Sequence, residues 1–203
     1  MIYLMRNPAH PTRERLIDTA VAMLDDRDVE QLNVNEVLEI SGISKGSMYH
    51  HFTDFDDLIN AALVRRFSRG VDADLEQLGD ILTSSKSAKQ FFAALDHVNE
   101  QVQSPKRADT RAERAMMLAR ARQHDDLREA LGAEQARLTS AFADLFTEAQ
   151  NKGWFAKDVD PEAFAVFIQA FTLGQLINDV MPETMDYDAW RKLIQRVLIS
   201  LRS

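Results

Sequence analysis

The 203-residue chain has no cysteine. That excludes disulfides, thiolate metal sites and a cysteine nucleophile, and it fits a reducing compartment. Long apolar runs are missing too. No segment approaches the roughly 18 uninterrupted apolar residues of a membrane span. The opening MIYLMRNPAHPT turns polar at Arg6, before an apolar stretch long enough for a signal peptide can form. A cytoplasmic protein with no membrane partner is the expectation. Net positive charge is also lacking. The formal charge is −8, and residues 1–70 carry 8 Lys/Arg against 11 Asp/Glu. A nucleic-acid partner would have to be held by locally placed bases, helix N-termini and neutral donors rather than by a broad basic field.

Glycine (7) and proline (5) are scarce. Strand-like alternation is not sustained, whereas apolar residues recur at helical spacing throughout. The fold class expected is all-α. Residues 1–10 read as a flexible arm. Thr12 is placed to cap a first helix with an apolar stripe of Leu16, Ile17, Ala20, Val21 and Leu24. The polar run 25–28 ends it. Asn33 caps a short helix bearing Val34, Val37, Leu38 and Ile40, and Gly42 stands where a helix needs a left-handed residue. Ser44 starts a second short helix reaching about His51, and Thr53 or Asp54 caps a fourth over 54–70. Further helical patterns cover roughly 72–82, 87–103, 108–123, 125–151, 161–180 and 187–201. The breaks between them fall at Ser104-Pro105, Asn151-Lys152-Gly153 and Met181-Pro182, and Asp160-Pro161 is a strong helix start.

The stretch SGISKGSMYHHFTDFDDL, residues 41–58, concentrates the unusual chemistry. Adjacent His50 and His51 do not suit a metal, because neighbours on a helix point about 100° apart whereas ligands must share a face. The acyltransferase pattern H-H-x-x-x-D fails at Phe55, and neither H-E-x-x-H nor E-x-x-H occurs. The five histidines, at 10, 50, 51, 97 and 124, show no catalytic spacing. No enzyme, metal or cofactor is expected. What remains is a helix-turn-helix pattern. Val34, Val37 and Leu38 pack the first helix inward. Gly42 turns the chain. Ile43 can staple onto Met48 while Ser44 caps, and Met48 with Phe52 buries one side of the second helix. Lys45, Gly46, Ser47, Tyr49 and His50 are left outward, where a helix N-terminus, small residues, neutral donors and one positive charge suit a DNA backbone and groove.

From Thr12 to about Leu63 the chain resembles the N-terminal DNA-binding domain of TetR/AcrR-family transcriptional regulators. The likeness rests on TRERLIDTAVAML, on SGISKGSMYHHF and on Leu58. It implies a helix-turn-helix DNA-binding domain over 11–53, the connecting helix 54–70, and a helical effector-binding and dimerisation domain over 71–203. It implies a regulator of transcription, a repressor in most of the family, acting as a homodimer on a double-stranded DNA operator and answering to a small-molecule effector of unknown identity. Ser47, Tyr49 and His50 would touch the DNA backbone, with Lys45 and Gly46 at the groove. Arg6, Arg13 and Asn33 complete the candidate DNA-binding set. Three positions depart from the family: Phe55 stands for a phosphate-binding lysine, Leu38 for a small residue, and Asp28 for a glycine.

For the larger domain the expectations are looser. Phe92, Met116, Met117, Arg120, Trp154 and Phe155 are candidate effector-pocket residues, although core packing explains each as well. The basic segment 105–122 has six bases against two acids. It reads as a solvated face with Ala112, Met116 and Ala119 buried, or else as a cationic wall for an anionic effector. Phe164, Phe167, Ile168, Phe171, Gly174, Trp190, Leu193, Ile194 and Val197 stripe two helices suited to a four-helix dimer interface. The competing readings are an all-α small-molecule-binding protein or enzyme with no DNA role, and a helix-turn-helix used for protein contact. Nucleic-acid retention that falls steeply with salt would separate the regulator from both.

Overall fold

A computed structural model describes residues 10–183 and 185–201. The arm residues 1–9, with Arg6, lie outside them. The chain divides into two compact units, one up to Gly70 and one from Val71 onward.

In the first unit, α1 (Pro11–Leu24), a 3-10 turn (Val29–Gln31), α2 (Val34–Ser41), α3 (Lys45–His51) and the first half of α4 (Phe55–Ser84) enclose one core. Leu16, Ile17, Ala20, Val21, Val37, Met48, Phe52, Leu58, Ile59 and Ala62 are buried there. The α1 start differs from the expected Thr12 cap. His10 is the cap, its Nδ1 accepting from the Thr12 N–H at 3.3 Å. The reason is Pro11, whose fixed φ and missing N–H suit the first helical position and draw the helix start two residues earlier. Asp28 needs no left-handed backbone. It adopts φ −72° and opens the 3-10 turn, its N–H bonded to Gln31 Oε1. Asp54 caps α4, accepting from the Asp57 N–H at 2.8 Å, while Asp57 Oδ2 accepts from the Thr53 N–H at 2.9 Å.

α4 is one helix of 30 residues, not two segments parted near 70. Its buried stripe continues through Phe67, Val71, Leu78 and Ile81 at helical spacing. An interior glycine such as Gly70 costs only about 1 kcal/mol relative to alanine and removes no backbone hydrogen bond.

In the second unit the rest of α4 joins α5 (Ala88–Gln103), a 3-10 turn (Pro105–Arg107), α6 (Ala108–Ala121), α7 (Asp125–Asn151), α8 (Pro161–Gly174), α9 (Leu176–Asp179) and α10 (Tyr187–Ser200). α7 packs along α6 and α8, and α10 along α5. The expected 161–180 helix is broken at Gln175, whose N–H reaches back only three residues, to Thr172 O. Thr172 Oγ1 also bonds Ile168 O at 2.8 Å, a back-bond that bends helices. One core cluster is dense in aromatic rings. Phe146 lies 4.7 Å from Phe164 and 5.1 Å from Phe155, and Phe91 lies 5.5 Å from Phe92, all as ring centroids.

α6 corrects the expectation for the basic segment. Ala119 is exposed, Met116 is 57% exposed and Ala112 only half-buried, while Arg111 and Ala121 are buried. An arginine can occupy that inner face because its charge is fully served. Nε and Nη2 donate to both Asp179 carboxylate oxygens at 2.7 Å, and Nη1 donates to the carbonyls of Val102 and Ser104.

Candidate functional site

α3 is fixed from both ends. Gly42 takes φ +65°, a conformation that costs a residue with a Cβ roughly 1–2 kcal/mol. Ser44 Oγ accepts from the Ser47 N–H at 3.2 Å and lies 2.9 Å from Ser47 Oγ. Met48 and Phe52, 0% and 2% exposed, anchor the inner side. The outer side presents Lys45, Gly46, Tyr49 and His50, all exposed, with Ser47 half-exposed. Lys45 Nζ lies 5.9 Å from the centre of the Tyr49 ring one turn on, so cation and aromatic hydroxyl share one strip. The geometry gathers the five candidates on a single short helix whose first-turn N–H groups, apart from that of Ser47, have no intrahelical partner and point toward an approaching anion.

The remaining DNA candidates are placed less simply. Arg13 lies 5.2 Å over the Phe52 ring and 3.6 Å from Glu14. Asn33 uses its carboxamide as the α2 cap, with Oδ1 accepting from Glu36 N–H and Nδ2 reaching Glu36 Oε2. Arg6 is outside the described residues. Phe55 is half-buried in the first turn of α4. Most other bases of this unit are already paired. Arg65 bonds Glu14 and Asp18, Arg69 bonds Asp18, Arg66 bonds Asp25, and Arg27 bonds Glu36. These hold α4 to α1 and α2 to the loop before it, which leaves the helix-turn-helix surface with few cations of its own.

Histidines cluster at the end of α3. The His51 ring lies 4.5 Å from His10 and 5.1 Å from His50. Partial desolvation, then the nearby His10, His50 and Arg13, push the His51 pKa below its ordinary 6.5. Sequence spacing could not show the His10 neighbour.

In the second unit three of the six candidate effector residues come together and three do not. Phe92 and Phe155 are buried in the aromatic core with Trp154 packed against it, Met116 faces outward, and Met117 and Arg120 are half-buried on α6. The polar interior was missed by sequence reading. It includes buried Arg111 with Asp179 and buried Gln103 bonded to Thr172 and Trp190; Gln169, bonded to Gln135 and Thr139, and Asp74, beside Arg114, are half-buried. Burial raises the Asp74 pKa against the opposing pull of Arg114 and Arg107, and lowers that of Arg114.

The candidate interface residues divide by face. Phe164 and Ile194, each 5% exposed, belong to the core; Ile168, Phe171, Trp190 and Val197 are half-buried; Phe167, Gly174 and Leu193 are exposed. Exposed Val166, Ile177 and Val180 extend the outer face of α8 and α9. An open groove of about 560 Å³ runs beside it, lined by Ala115, Ala170, Leu173, Gly174, Leu176, Ile177 and Val180. Among the described residues, no cluster of His, Cys, Asp and Glu could hold a metal ion, and no helix is long and apolar enough to cross a membrane.

Comparison with known proteins follows the same division. Residues 16–62 match the family described as bacterial regulatory proteins, tetR family. Residues 93–202 match the BetI-type transcriptional repressor C-terminal family. The HTH-type transcriptional repressor KstR2 of Mycolicibacterium smegmatis is 27% identical over 172 residues, 81% of this chain and 78% of that protein. Among solved structures, a regulator described as TetR-family from Mesorhizobium loti superposes with a TM-score of 0.67 at 14% identity, covering 96% of each chain. One from a Rhodococcus species gives 0.61 at 22% identity, covering 95% of this chain and 98% of the other. Identities this low establish a shared fold.

Proposed function

The chain belongs to the TetR family of transcriptional regulators, with a C-terminal region of the BetI-type repressors, and we propose that it represses transcription as a homodimer that reads DNA with α3 and releases it when a small molecule binds the second unit. The observation that carries the DNA reading is the sidedness of α3. Met48 is wholly buried, and Lys45, Gly46, Tyr49 and His50 are on the opposite, exposed side of a helix only 7 residues long. Such a helix offers donors and one charge to the phosphate backbone and side-chain tips to the base edges. Two copies would engage half-sites about 34–36 Å apart.

The outer face of α8 and α9 supports the dimer. Val166 at 53%, Ile177 at 72% and Val180 at 75% exposure form a patch of the kind that marks association surfaces. In the dimer, Phe167, Gly174 and Leu193 meet the partner directly, whereas Phe164 and Ile194 shape the face from beneath. The polar interior supports a ligand function, since a unit needing only a dimer scaffold gains little from burying Asn99, Gln103, Arg111 and Gln175. Effector binding that separates DNA-competent and incompetent states by about 1–3 kcal/mol suffices to change occupancy.

The test uses DNA fragments selected by the purified protein. Lys45→Ala and Tyr49→Ala each weaken binding to the selected operator, leave the dimer intact by sedimentation, and Lys45→Ala lowers the log–log salt slope by about 1. Unchanged operator affinity in both variants removes α3 as the reading helix.

A further inference from the structure

The α5 face of the second unit carries a polar row, Asp96, Asn99 and Gln103, spaced so that successive members are neighbours on one side of the helix. Its two ends are tied down. Gln195 Nε2 donates to Asp96 Oδ2 at 2.6 Å. Gln103, 1% exposed, donates from Nε2 to Thr172 Oγ1 at 3.2 Å and accepts at Oε1 from Trp190 Nε1 at 3.3 Å. The middle member is different. Asn99 is 8% exposed, and neither its Oδ1 nor its Nδ2 has a hydrogen-bond partner; the buried Asp96 Oδ1, one turn away, has none either. Leaving such groups unbonded costs about 1–3 kcal/mol each. The adjoining turns carry Phe92 and Leu95, both buried in the aromatic core.

We propose that Asn99 and Asp96 form a recognition site for the primary carboxamide head of an otherwise apolar small molecule. A carboxamide supplies two N–H donors and one carbonyl acceptor. The two N–H groups satisfy Asn99 Oδ1 and Asp96 Oδ1, and the carbonyl accepts from Asn99 Nδ2, so all three unserved atoms are used. The Asp96 carboxylate disfavours an anionic head at the same place, and Phe92 and Leu95 suit a hydrocarbon body. The proposal rests on the reading of the second unit as the effector domain and names the chemistry its effector must carry.

Hexanamide and hexanoate differ only in the head, and calorimetric titration of each into the full-length protein is the experiment. Hexanamide binds at least tenfold more tightly than hexanoate, and Asn99→Leu, a variant of similar volume that removes the unbonded groups, erases that preference. Asn99→Ala, which also removes both unbonded atoms and adds no charge, gives the same loss of preference and serves if the leucine variant fails to fold by circular dichroism. Equal affinity for the two probes, no hexanamide binding, or a preference that survives both substitutions overturns the proposal. DNA retention is measured in parallel. Hexanamide bound at Asn99 without DNA release supports this site and counts against effector-controlled repression, while DNA binding with no amide recognition does the reverse.

Discussion

The two units place opposite charges in opposite environments. In the first, Arg65, Arg66 and Arg69 on α4 meet Glu14 and Asp18 on α1 and Asp25 at its C-terminal cap, at a surface where Arg69 and Asp18 are both more than half exposed. In the second, Arg111 and Asp179 meet with side chains only 5% and 10% exposed. Similar residue types therefore act differently. Exposed pairs are screened and typically contribute about 0–1 kcal/mol. A buried pair contributes little net stability against an apolar replacement, yet removing one member strands the other charge at a cost of about 3–5 kcal/mol. The first arrangement neutralises a unit that must still present cations to DNA; the second locks α6 to the end of α9, beside the exposed Ile177 and Val180.

The largest test of this contrast is a double-mutant cycle on the buried pair. Arg111→Met and Asp179→Leu, made singly, each destabilise the protein by about 3–5 kcal/mol in urea unfolding. The double variant recovers most of that loss. If both single changes cost under about 1 kcal/mol, the pair behaves as though solvated and the contrast between the units collapses.

A parallel cycle on Arg69 and Asp18 sets the lower end. Arg69→Gln and Asp18→Asn each change stability by less than about 1 kcal/mol, with a coupling that shrinks further in 1 M salt. Arg65 also bonds Asp18, so the Asp18 change is expected to exceed the Arg69 change. A salt-independent coupling above about 2 kcal/mol would place this cluster with the buried pair.

The contrast also explains what could be read from the chain alone. α3 was legible because its determinants are local: Gly42, the Ser44 cap and the i, i+4 pair Met48 and Phe52 lie within 11 residues. The inner face of α6 was not, because Arg111 is buried on account of Asp179, 68 residues away, and an apolar-stripe rule assigns the interior to Met116 instead. Asn99 was invisible for a related reason. Its significance lies in partners it lacks, while its row-mates Asp96 and Gln103 are bonded to residues 99 and 69 or 87 positions distant. From the sequence α4 reads as a helix over 54–70 and another over roughly 72–82, whereas its buried stripe, Phe67, Val71, Leu78 and Ile81, carries one helix through.

The smallest expected effect concerns pH and sits in the first unit. His51 has a folded pKa below its ordinary 6.5, so the folded state holds fewer protons than the unfolded chain around that pH. By linkage, its contribution is fully present above pH 6.5 and is lost as pH falls through the folded pKa. Stability of the first unit, followed by hydrogen exchange in α1 and α3, therefore declines modestly between pH 7.5 and 5.5, and His51→Gln flattens the decline. DNA affinity runs the other way, because a phosphate near His51 favours its protonated form and opposes the repulsion from His10 and Arg13. Acidification then loosens the free unit while tightening its grip on DNA. Parallel declines of stability and affinity would mean that the histidine cluster faces away from the phosphates, and the α3 surface would have to be turned so that Lys45 and Tyr49 meet DNA without His50.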